Sequence, residues 1–157
     1  MPLKNRSIQE ANGRVIHEWS MTVPISRLWW GLIDPTALPQ WLGVLTEGTF
    51  VKGDVVTIQH AENYSCTGQI LACEPEQLLS MTWKFPDEEL SNLQIKLRSA
   101  DDAVDLVLTH DDLGDEAANY LPGWHTHLLY LEDLLLGRPR SMDDFWSTYE
   151  VLRDVRG

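Results

Sequence analysis

The stretch VDLVLTHDDLGDEAANYLPGWHTHLLYLEDLLLG, residues 104–137, contains a change of hydrophobic period that decides how the chain folds. Its first part alternates apolar and polar residues, so Val104, Leu106, Leu108 and His110 share one face, which predicts a half-buried strand. Its second part repeats apolar residues every three or four positions, which predicts an amphipathic helix. The stretch is therefore expected to hold the last strand of a sheet and a long helix packed against it.

The predicted helix runs from about Asp115 to Leu136. Its apolar stripe consists of Tyr120, Trp124, Leu128, Leu131 and Leu135. Pro122 lies inside this range, and because proline has no backbone N–H to donate, we expect a kink or a later start of the helix near residue 121. Gly137 and then Pro139 are the residue types that end a helix.

Four more predicted strands precede this stretch and lead into it through short turns. They are Val55–His60, Tyr64–Cys73, Leu79–Phe85 and Leu93–Leu97. The turns contain Glu74-Pro75 and Pro86–Glu89. Five strands joined in this way predict an antiparallel meander with one buried face and one solvated face.

The N-terminal third adds one strand and two short helices. Arg14–Thr22 alternates like a strand, and Pro24 is suited to the first turn of a helix. Two short helices are expected between about 24 and 43, separated at Asp34-Pro35 because the residue before proline avoids the helical region. Residues 1–11 are polar and aperiodic and are expected to be frayed. Met142–Leu152 has helical spacing and predicts a final short helix.

Length and composition predict one compact domain with no nucleic-acid or membrane partner. The chain has 157 residues and a formal net charge of −12, and residues 101–157 carry thirteen acids against four bases. Phosphate recognition needs clustered lysine and arginine, which this balance does not provide. No apolar run approaches the roughly 18 residues of a membrane span, and no secretory signal is apparent, so we expect a cytoplasmic protein. The acidic surface is either a solvated face or a contact for a basic partner.

Several segments, taken in order, carry a resemblance to a known superfamily. They are Val23-Pro24 before Leu28-Trp29, Leu32–Pro35 with Leu38 and Trp41, Gly68–Ile70 before Glu74-Pro75 and Leu79–Trp83, Thr109-His110 with Leu113, Gly123-Trp124 with Leu128–Leu131 and Gly137, and Asp144–Trp146. Together they resemble the START/Bet v 1-like (SRPBCC) superfamily. More narrowly, they resemble the bacterial proteins related to the C-terminal domain of the activator of Hsp90 ATPase.

The resemblance implies an α+β helix-grip fold, in which a curved antiparallel sheet of about six strands wraps around a long C-terminal helix. It covers roughly residues 13–152. We accordingly expect a flexible N-terminus over residues 1–12, the START-like domain over 13–137, and a C-terminal extension over 138–157 whose short helix packs on the same domain. A separate N-terminal domain like that of the eukaryotic activator is not expected.

In a helix-grip fold the sheet and the long helix enclose a pocket, and strand alternation predicts which residues face it. The candidate ligand-binding residues are His17, Trp19, Met21, Met81, Trp83, Phe85, Ile95, Leu106, Leu108, His110, Tyr120, Trp124, His127 and Leu128. The same pattern is typical of a filled core, so both interpretations stay open. His17 and His110 are the candidate polar anchors, since a neutral imidazole offers one donor and one acceptor, and the alternative is that each is a core or rim histidine satisfied by backbone or water. His125 and His127 lie two apart on the helix and should face different sides.

The remaining chemistry-bearing residues do not form a recognised motif. Cys66 and Cys73 do not have zinc-site spacing and are expected to be reduced thiols on opposite faces of one strand. No nucleophile elbow, phosphate-binding loop or metal motif is present in the sequence, so no cofactor or metal is expected.

Three functions therefore remain. The first is non-catalytic binding of a small hydrophobic or aromatic molecule. The second is a co-chaperone-like module that contacts a protein through its acidic or tryptophan-containing surface, as a monomer or homodimer. The third is a cyclase- or hydrolase-like enzyme, which would need a His–carboxylate pair open to the cavity.

Overall fold

The computed structural model describes residues 3–9 and 13–154 and contains one antiparallel sheet of eight strands. The strands are β1 (Leu3–Gln9), β2 (Arg14–Met21), β3 (Val44–Glu47), β4 (Val55–Ala61), β5 (Tyr64–Glu74), β6 (Leu78–Trp83), β7 (Ser91–Ala100) and β8 (Ala103–Asp111). Their order across the sheet is β1-β2-β8-β7-β6-β5-β4-β3. The predicted meander is therefore confirmed, and the first predicted strand joins it at β8.

The described helices follow the predicted order. Helix α1 (Ile25–Ile33) and a single 3₁₀ turn (Leu38–Gln40) lie between β2 and β3, α2 (Ala117–Leu135) follows β8, and α3 (Phe145–Arg153) comes last. Helix α2 contacts β1, β2 and α1, and α3 packs on α2. This arrangement of a sheet around a long C-terminal helix is the helix-grip fold. None of the described helices is long and apolar enough to cross a membrane.

Two strands exceed the number predicted. We expected a flexible segment over residues 1–12, but Leu3–Gln9 forms the edge strand β1, which pairs with β2 so that Arg6 lies opposite His17. The sequence LKNRSIQ gives no apolar alternation because its two apolar residues, Leu3 and Ile8, have opposite parity and its buried residue is Arg6, which is 5% exposed. Residues 1, 2 and 10–12 of the predicted segment lie outside the described residues. The other addition is β3, a strand of four residues.

Helix α2 begins earlier than residue 121, the later start that Pro122 offered as one of two alternatives. Its hydrogen-bonding pattern starts at Ala117, with Pro122 in the second turn, so a later start near residue 121 is wrong. A proline so close to the N-terminus removes a single helical hydrogen bond, and packing of the stripe against the sheet outweighs that loss. The side-chain hydroxyl of Thr126 donates to the Pro122 carbonyl over 2.8 Å.

Close packing of α1 on α2 fixes the region between them. A Cβ atom at Gly31 would lie 2.7 Å from a methyl carbon of Leu131, so a larger residue would have to displace that buried side chain for the two helices to stay this close. The Gly31 carbonyl also accepts a hydrogen bond of 2.7 Å from the indole N–H of Trp41, which is 1% exposed. The short helical segments thus place Trp41 firmly beside α2.

Candidate ligand-binding cavity

A cavity of about 320 Å³ opens between β4, the end of β6, α2 and α3. Its walls come from separate parts of the chain: His60 lies at the end of β4, Trp83 at the end of β6, and His127 on α2. Gly123 contributes empty space, because it lines the cavity on α2 without a side chain. The cavity is therefore a product of the complete fold and not of a single motif.

Five of the fourteen predicted residues line this cavity. They are Trp83, Phe85, Tyr120, Trp124 and His127. The other nine do not line it and are at most 2% exposed, so they fill the core elsewhere between sheet and helix. They are His17, Trp19, Met21, Met81, Ile95, Leu106, Leu108, His110 and Leu128. A void lined by Trp19 and Met81 together with Trp83 and Trp124 is therefore not what the structure contains.

Several lining residues lay outside the prediction. They are Leu42, His60, Ala61, Tyr64, Glu88, Glu116, Asn119, Gly123, Met142, Phe145, Trp146 and Tyr149. A signal existed for His60, because it has the same parity in β4 as the buried Val56 and Ile58. No local pattern could have brought α3 to the mouth of the cavity, since that position depends on tertiary packing.

Aromatic rings make up most of the cavity wall. The ring centroid of Trp83 lies 5.3 Å from that of Trp124, and the His60 ring lies 5.0 Å from Phe85. On the α3 side, His127 lies 4.5 Å from Phe145. These spacings are those of favourable edge-to-face and tilted aromatic pairs. The wall is preformed and apolar, with a few polar atoms set into it.

His127 has a defined tautomer in this wall. Its Nδ1 lies 2.7 Å from the Trp41 carbonyl oxygen, and because a carbonyl only accepts, Nδ1 carries the proton. Burial lowers the pKa of His127 to about 4, so the imidazole is neutral near pH 7. Its Nε2 is then a hydrogen-bond acceptor.

His60 stands next to His127, with ring centroids 6.2 Å apart. Its Nε2 is buried without a hydrogen-bond partner, and its ring interacts with the Leu42 backbone. Burial, followed by the neighbouring His127, lowers the pKa of His60 to about 3, so this ring is also neutral. An unpaired buried polar atom costs free energy, which a ligand that pairs it would recover.

Glu88 and Tyr120 form the polar side of the opening. The Trp83 indole N–H donates to the Tyr120 hydroxyl over 3.2 Å, and that hydroxyl donates to a Glu88 carboxylate oxygen over 2.5 Å. Burial raises the pKa of Glu88, and the neighbouring Glu116 and Asp87 raise it further. The Tyr120 hydroxyl is thus fixed by bonds within the protein.

His110 lies behind the wall and not in it. The Trp124 indole N–H donates to His110 Nδ1 over 2.9 Å, so the proton of the neutral ring is on Nε2. That N–H faces the Ser91 hydroxyl at 2.7 Å, and Ser91 donates to the Trp83 carbonyl over 3.0 Å. Both ring nitrogens are engaged, so His110 holds two cavity tryptophans in place and has no free atom for a ligand.

His17, the other candidate anchor, also lies away from the cavity. Its Nε2 contacts the Leu121 carbonyl at 2.8 Å, and its ring lies 5.9 Å from that of His125. His125 and His127 therefore face opposite sides of α2, as their spacing predicted.

The chemistry of the cavity depends on the partners of its two histidines, His60 and His127. Among the hydrogen bonds of the described residues, neither His60 nor His127 meets a carboxylate, which general acid–base catalysis by a His–carboxylate pair would need. Within residues 3–9 and 13–154, no group of three or more His, Cys, Asp or Glu side chains could hold a metal ion.

Fold and cavity together define a helix-grip protein of the START-like class. The sequence profile of the family described as activator of Hsp90 ATPase homolog 1-like protein matches residues 22–135. This range is more than half of the chain, so the chain belongs to that family. A search of the curated proteins found no match to this chain.

Solved structures support the same fold. CalU16 from Micromonospora echinospora has a TM-score of 0.76 and 20% identity, with 99% of this chain and 100% of that chain covered. DynU16, from the dynemicin biosynthetic locus, has a TM-score of 0.74 and 21% identity, with 81% of this chain and 49% of that chain covered. The protein of gene BPP1335 from Bordetella parapertussis has a TM-score of 0.71 and 26% identity, with 97% and 88% covered.

Proposed function

We propose that this protein binds a small, mainly apolar aromatic molecule in the cavity between sheet and C-terminal helices, without catalysing a reaction. The observation that carries the proposal is the preformed aromatic wall formed by Trp83, Phe85, Trp124, His127 and Phe145. Ligand sites are typically concave and apolar with a few placed polar groups, and this cavity has that composition.

The volume restricts the size of the ligand. Ligand pockets generally measure about 300–1,000 Å³, and the cavity of about 320 Å³ is at the lower end of that range. Its aromatic walls favour an aromatic ligand over a long acyl chain, because stacked and edge-to-face contacts need an aromatic partner. A compound of two fused rings is therefore the expected size.

A protein partner is the second candidate, and one observation favours it. Trp146 on α3 is 69% exposed, and tryptophan is enriched where proteins make their strongest contacts. Val151 on the same helix is 71% exposed, so α3 presents apolar area to solvent. A co-purified protein that shields Trp146 fluorescence from an aqueous quencher would support this candidate.

We propose the cytoplasm as the location of this binding protein. Cys66 and Cys73 are both unpaired in the structure. Unpaired thiols are typical of a reducing compartment.

The test of the binding proposal is native mass spectrometry of the purified protein, followed by organic extraction of any bound molecule. Thermal-shift screening against lipids, aromatic polyketides and heterocycles uses the same sample, because a ligand that binds only the folded state raises the melting temperature. A bound aromatic compound or a stabilising aromatic hit supports the proposal. A protein that stays empty and has no hit in the screen contradicts it.

A cavity-filling variant shows whether the ligand occupies this cavity. Gly123→Leu places an isobutyl group in the space that glycine leaves, where the nearest neighbour of a Cβ atom is Tyr149 at 3.9 Å. We expect this variant to fold and to lose the bound compound. Gly123→Ala is the matched control, which should retain the ligand and stabilise α2 by about 0.5–1 kcal/mol. A ligand that binds Gly123→Leu as well as the wild type lies elsewhere.

A further inference from the structure

The hydrogen-bond donors of the cavity's ring residues are largely used within the protein. Each of five rings donates to an acceptor of the chain. They are Tyr64 to Asp87, Tyr120 to Glu88, Tyr149 to the Asn119 carbonyl, Trp83 to Tyr120, and Trp124 to His110. The sixth tyrosine or tryptophan of the wall, Trp146, stands mostly in solvent at the opening. The inner wall therefore offers a ligand few donors.

In contrast, two hydrogen-bond acceptors of the cavity wall have no partner among the residues that the structure describes. Although burial lowers the pKa of His60, the backbone hydrogen bond with Leu42 acts to raise it, so the ring donates to the Leu42 carbonyl, and because Nε2 has no partner the proton lies on Nδ1 and the buried Nε2 is an acceptor. The proton of His127 is likewise held on Nδ1 by the Trp41 carbonyl, which leaves its Nε2 as an acceptor. We call these two nitrogen atoms the histidine acceptors. Burial keeps both rings neutral near pH 7, since the pKa of each lies well below its ordinary value. Only a molecule with N–H or O–H groups can satisfy them.

The opening of the cavity is acidic. Glu88 and Glu116 line it, and Asp87 adjoins them through its bond to Tyr64; we call these three carboxylates the acidic mouth. The positive group that faces Glu88 is Lys84, whose ammonium is held by the Phe85 and Glu88 carbonyl oxygens. Three carboxylates against one ammonium leave the mouth negative, within a chain of net charge −12. Such a field attracts cations and repels anions.

We propose that the ligand is an arylalkylamine, an aromatic molecule with an aliphatic amino group, whose hydrogen-bond donors meet the histidine acceptors and whose protonated amino group lies at the acidic mouth. This inference rests on the proposed function and adds the chemical class of the ligand. It excludes aromatic carboxylates and phosphates, which the mouth repels, and hydrocarbons, which leave His60 Nε2 unpaired.

Four naphthalene probes with substituents at opposite ends of the ring test the inference by isothermal titration at pH 7.5. They are an aminomethyl-naphthol, its O-methyl ether, the methyl-naphthol and the hydroxy-naphthoic acid. We expect the aminomethyl-naphthol to bind most tightly and the ether to bind about tenfold more weakly, since one hydrogen bond is lost. The methyl-naphthol should bind about fivefold more weakly, and the acid more weakly still.

Two variants assign these differences to the two groups of residues. His60→Phe keeps a ring in the wall but removes a hydrogen-bond acceptor. It should therefore reduce the difference in affinity between the aminomethyl-naphthol and its ether, and leave unchanged the difference between the aminomethyl-naphthol and the methyl-naphthol, which we call the amine effect. Glu88→Gln keeps an acceptor for Tyr120 but removes charge, so it should shrink the amine effect only. Glu89→Gln is the matched control, because Glu89 is exposed, does not line the cavity, and makes the same change in net charge. Circular dichroism verifies that each variant is folded.

The outcomes separate this inference from the proposed function. The stated order of affinities, with the two variants affecting different probes, supports both. Equal affinity for all four probes, or tightest binding of the acid, overturns the amine class and leaves the binding function standing. If Glu89→Gln reduces the affinity for the aminomethyl-naphthol as much as Glu88→Gln does, the acidic mouth is not the cause of the preference for the amine. Failure of all four probes together with an empty purified protein overturns both.

Discussion

The two histidine pairs on opposite sides of α2 show what separates a site from a core in this protein. His17 and His125 face each other at 5.9 Å, and His60 and His127 face each other at 6.2 Å. Burial is the main cause of a lowered pKa in all four rings. Residue type, spacing and protonation are therefore alike, and neither pair could be chosen as functional on these grounds.

The difference lies in what surrounds each pair. Beside the first pair, Trp19 packs 5.8 Å from His125 and the Arg6 guanidinium lies 3.2 Å from His125 Nδ1, so side chains fill the space. Beside the second pair, Gly123 supplies no side chain and α3 stands over the opening. The cavity therefore arises from the side-chain volume that Gly123 lacks and from the position of α3, and not from an unusual set of residue types.

The largest expected effect is a loss of stability in acid that both pairs share. The pKa is lowered to about 3 in His17, His60 and His110 and to about 4 in His125 and His127, from 6.5. Between pH 6.5 and about 4 the unfolded chain binds more protons, so the free energy of unfolding falls as the pH is lowered, with the full contribution present above pH 6.5. Each histidine adds up to about 1.4 kcal/mol per pH unit near pH 5. Urea denaturation across this range measures the slope.

Single variants sharpen this prediction for the two pairs. His17→Phe and His60→Phe should each flatten the slope by the amount of one histidine, because the pKa is lowered to about 3 in both. Glu132 acts with the opposite sign, since burial raises its pKa to about 7 and its contribution is lost as the pH rises. Glu132→Gln should therefore steepen the slope. Stability that stays flat from pH 6.5 to 5 would falsify the neutral state of both pairs.

The next largest effect distinguishes the side of α2 that packs against His17 and Trp19 from the side that borders the cavity. Trp19 is 1% exposed and does not line the cavity, so Trp19→Ala should lower the free energy of unfolding by about 3–5 kcal/mol while leaving ligand affinity unchanged. Chemical denaturation and titration with the same ligand measure the two quantities. Affinity that falls in step with stability would mean that the two sides of α2 are not independent.

Most of the fold could be predicted because the hydrophobic residues recur with the regular periods of strands and helices. Alternation in β6 and β8 and the helical stripe of α2 reproduce the observed elements to within a few residues. The edge strand β1 could not be predicted, since its backbone pairs with β2 while five of its seven side chains are polar and the two apolar ones have opposite parity. An edge strand of this kind has no hydrophobic pattern to reveal it.

The cavity could be predicted only in part, for a different reason. Strand parity gives the face on which a side chain lies, but not how far along the sheet the space remains open. Trp19 and Trp83 both point inward as predicted, yet α2 closes the space over Trp19 and leaves it open over Trp83. His60 could have been found from the parity of β4. Phe145 and Tyr149 depend on where α3 packs, which no local pattern reports.

The smallest expected effect on stability concerns the open side, where Trp146 stands 69% exposed at the cavity opening. Trp146→Ala should change the free energy of unfolding by no more than about 0.5 kcal/mol, because an exposed side chain adds little to the core. It should weaken ligand binding about two- to fivefold, since the indole lines the cavity opening 5.3 Å from the ring of Tyr149 and its removal takes away part of the apolar wall. Val151→Ala is the control, because Val151 is 71% exposed on the same helix but does not line the cavity. Unchanged affinity in Trp146→Ala would mean that the exposed indole does not contribute to ligand binding, and would favour the alternative that Trp146 contacts a protein partner.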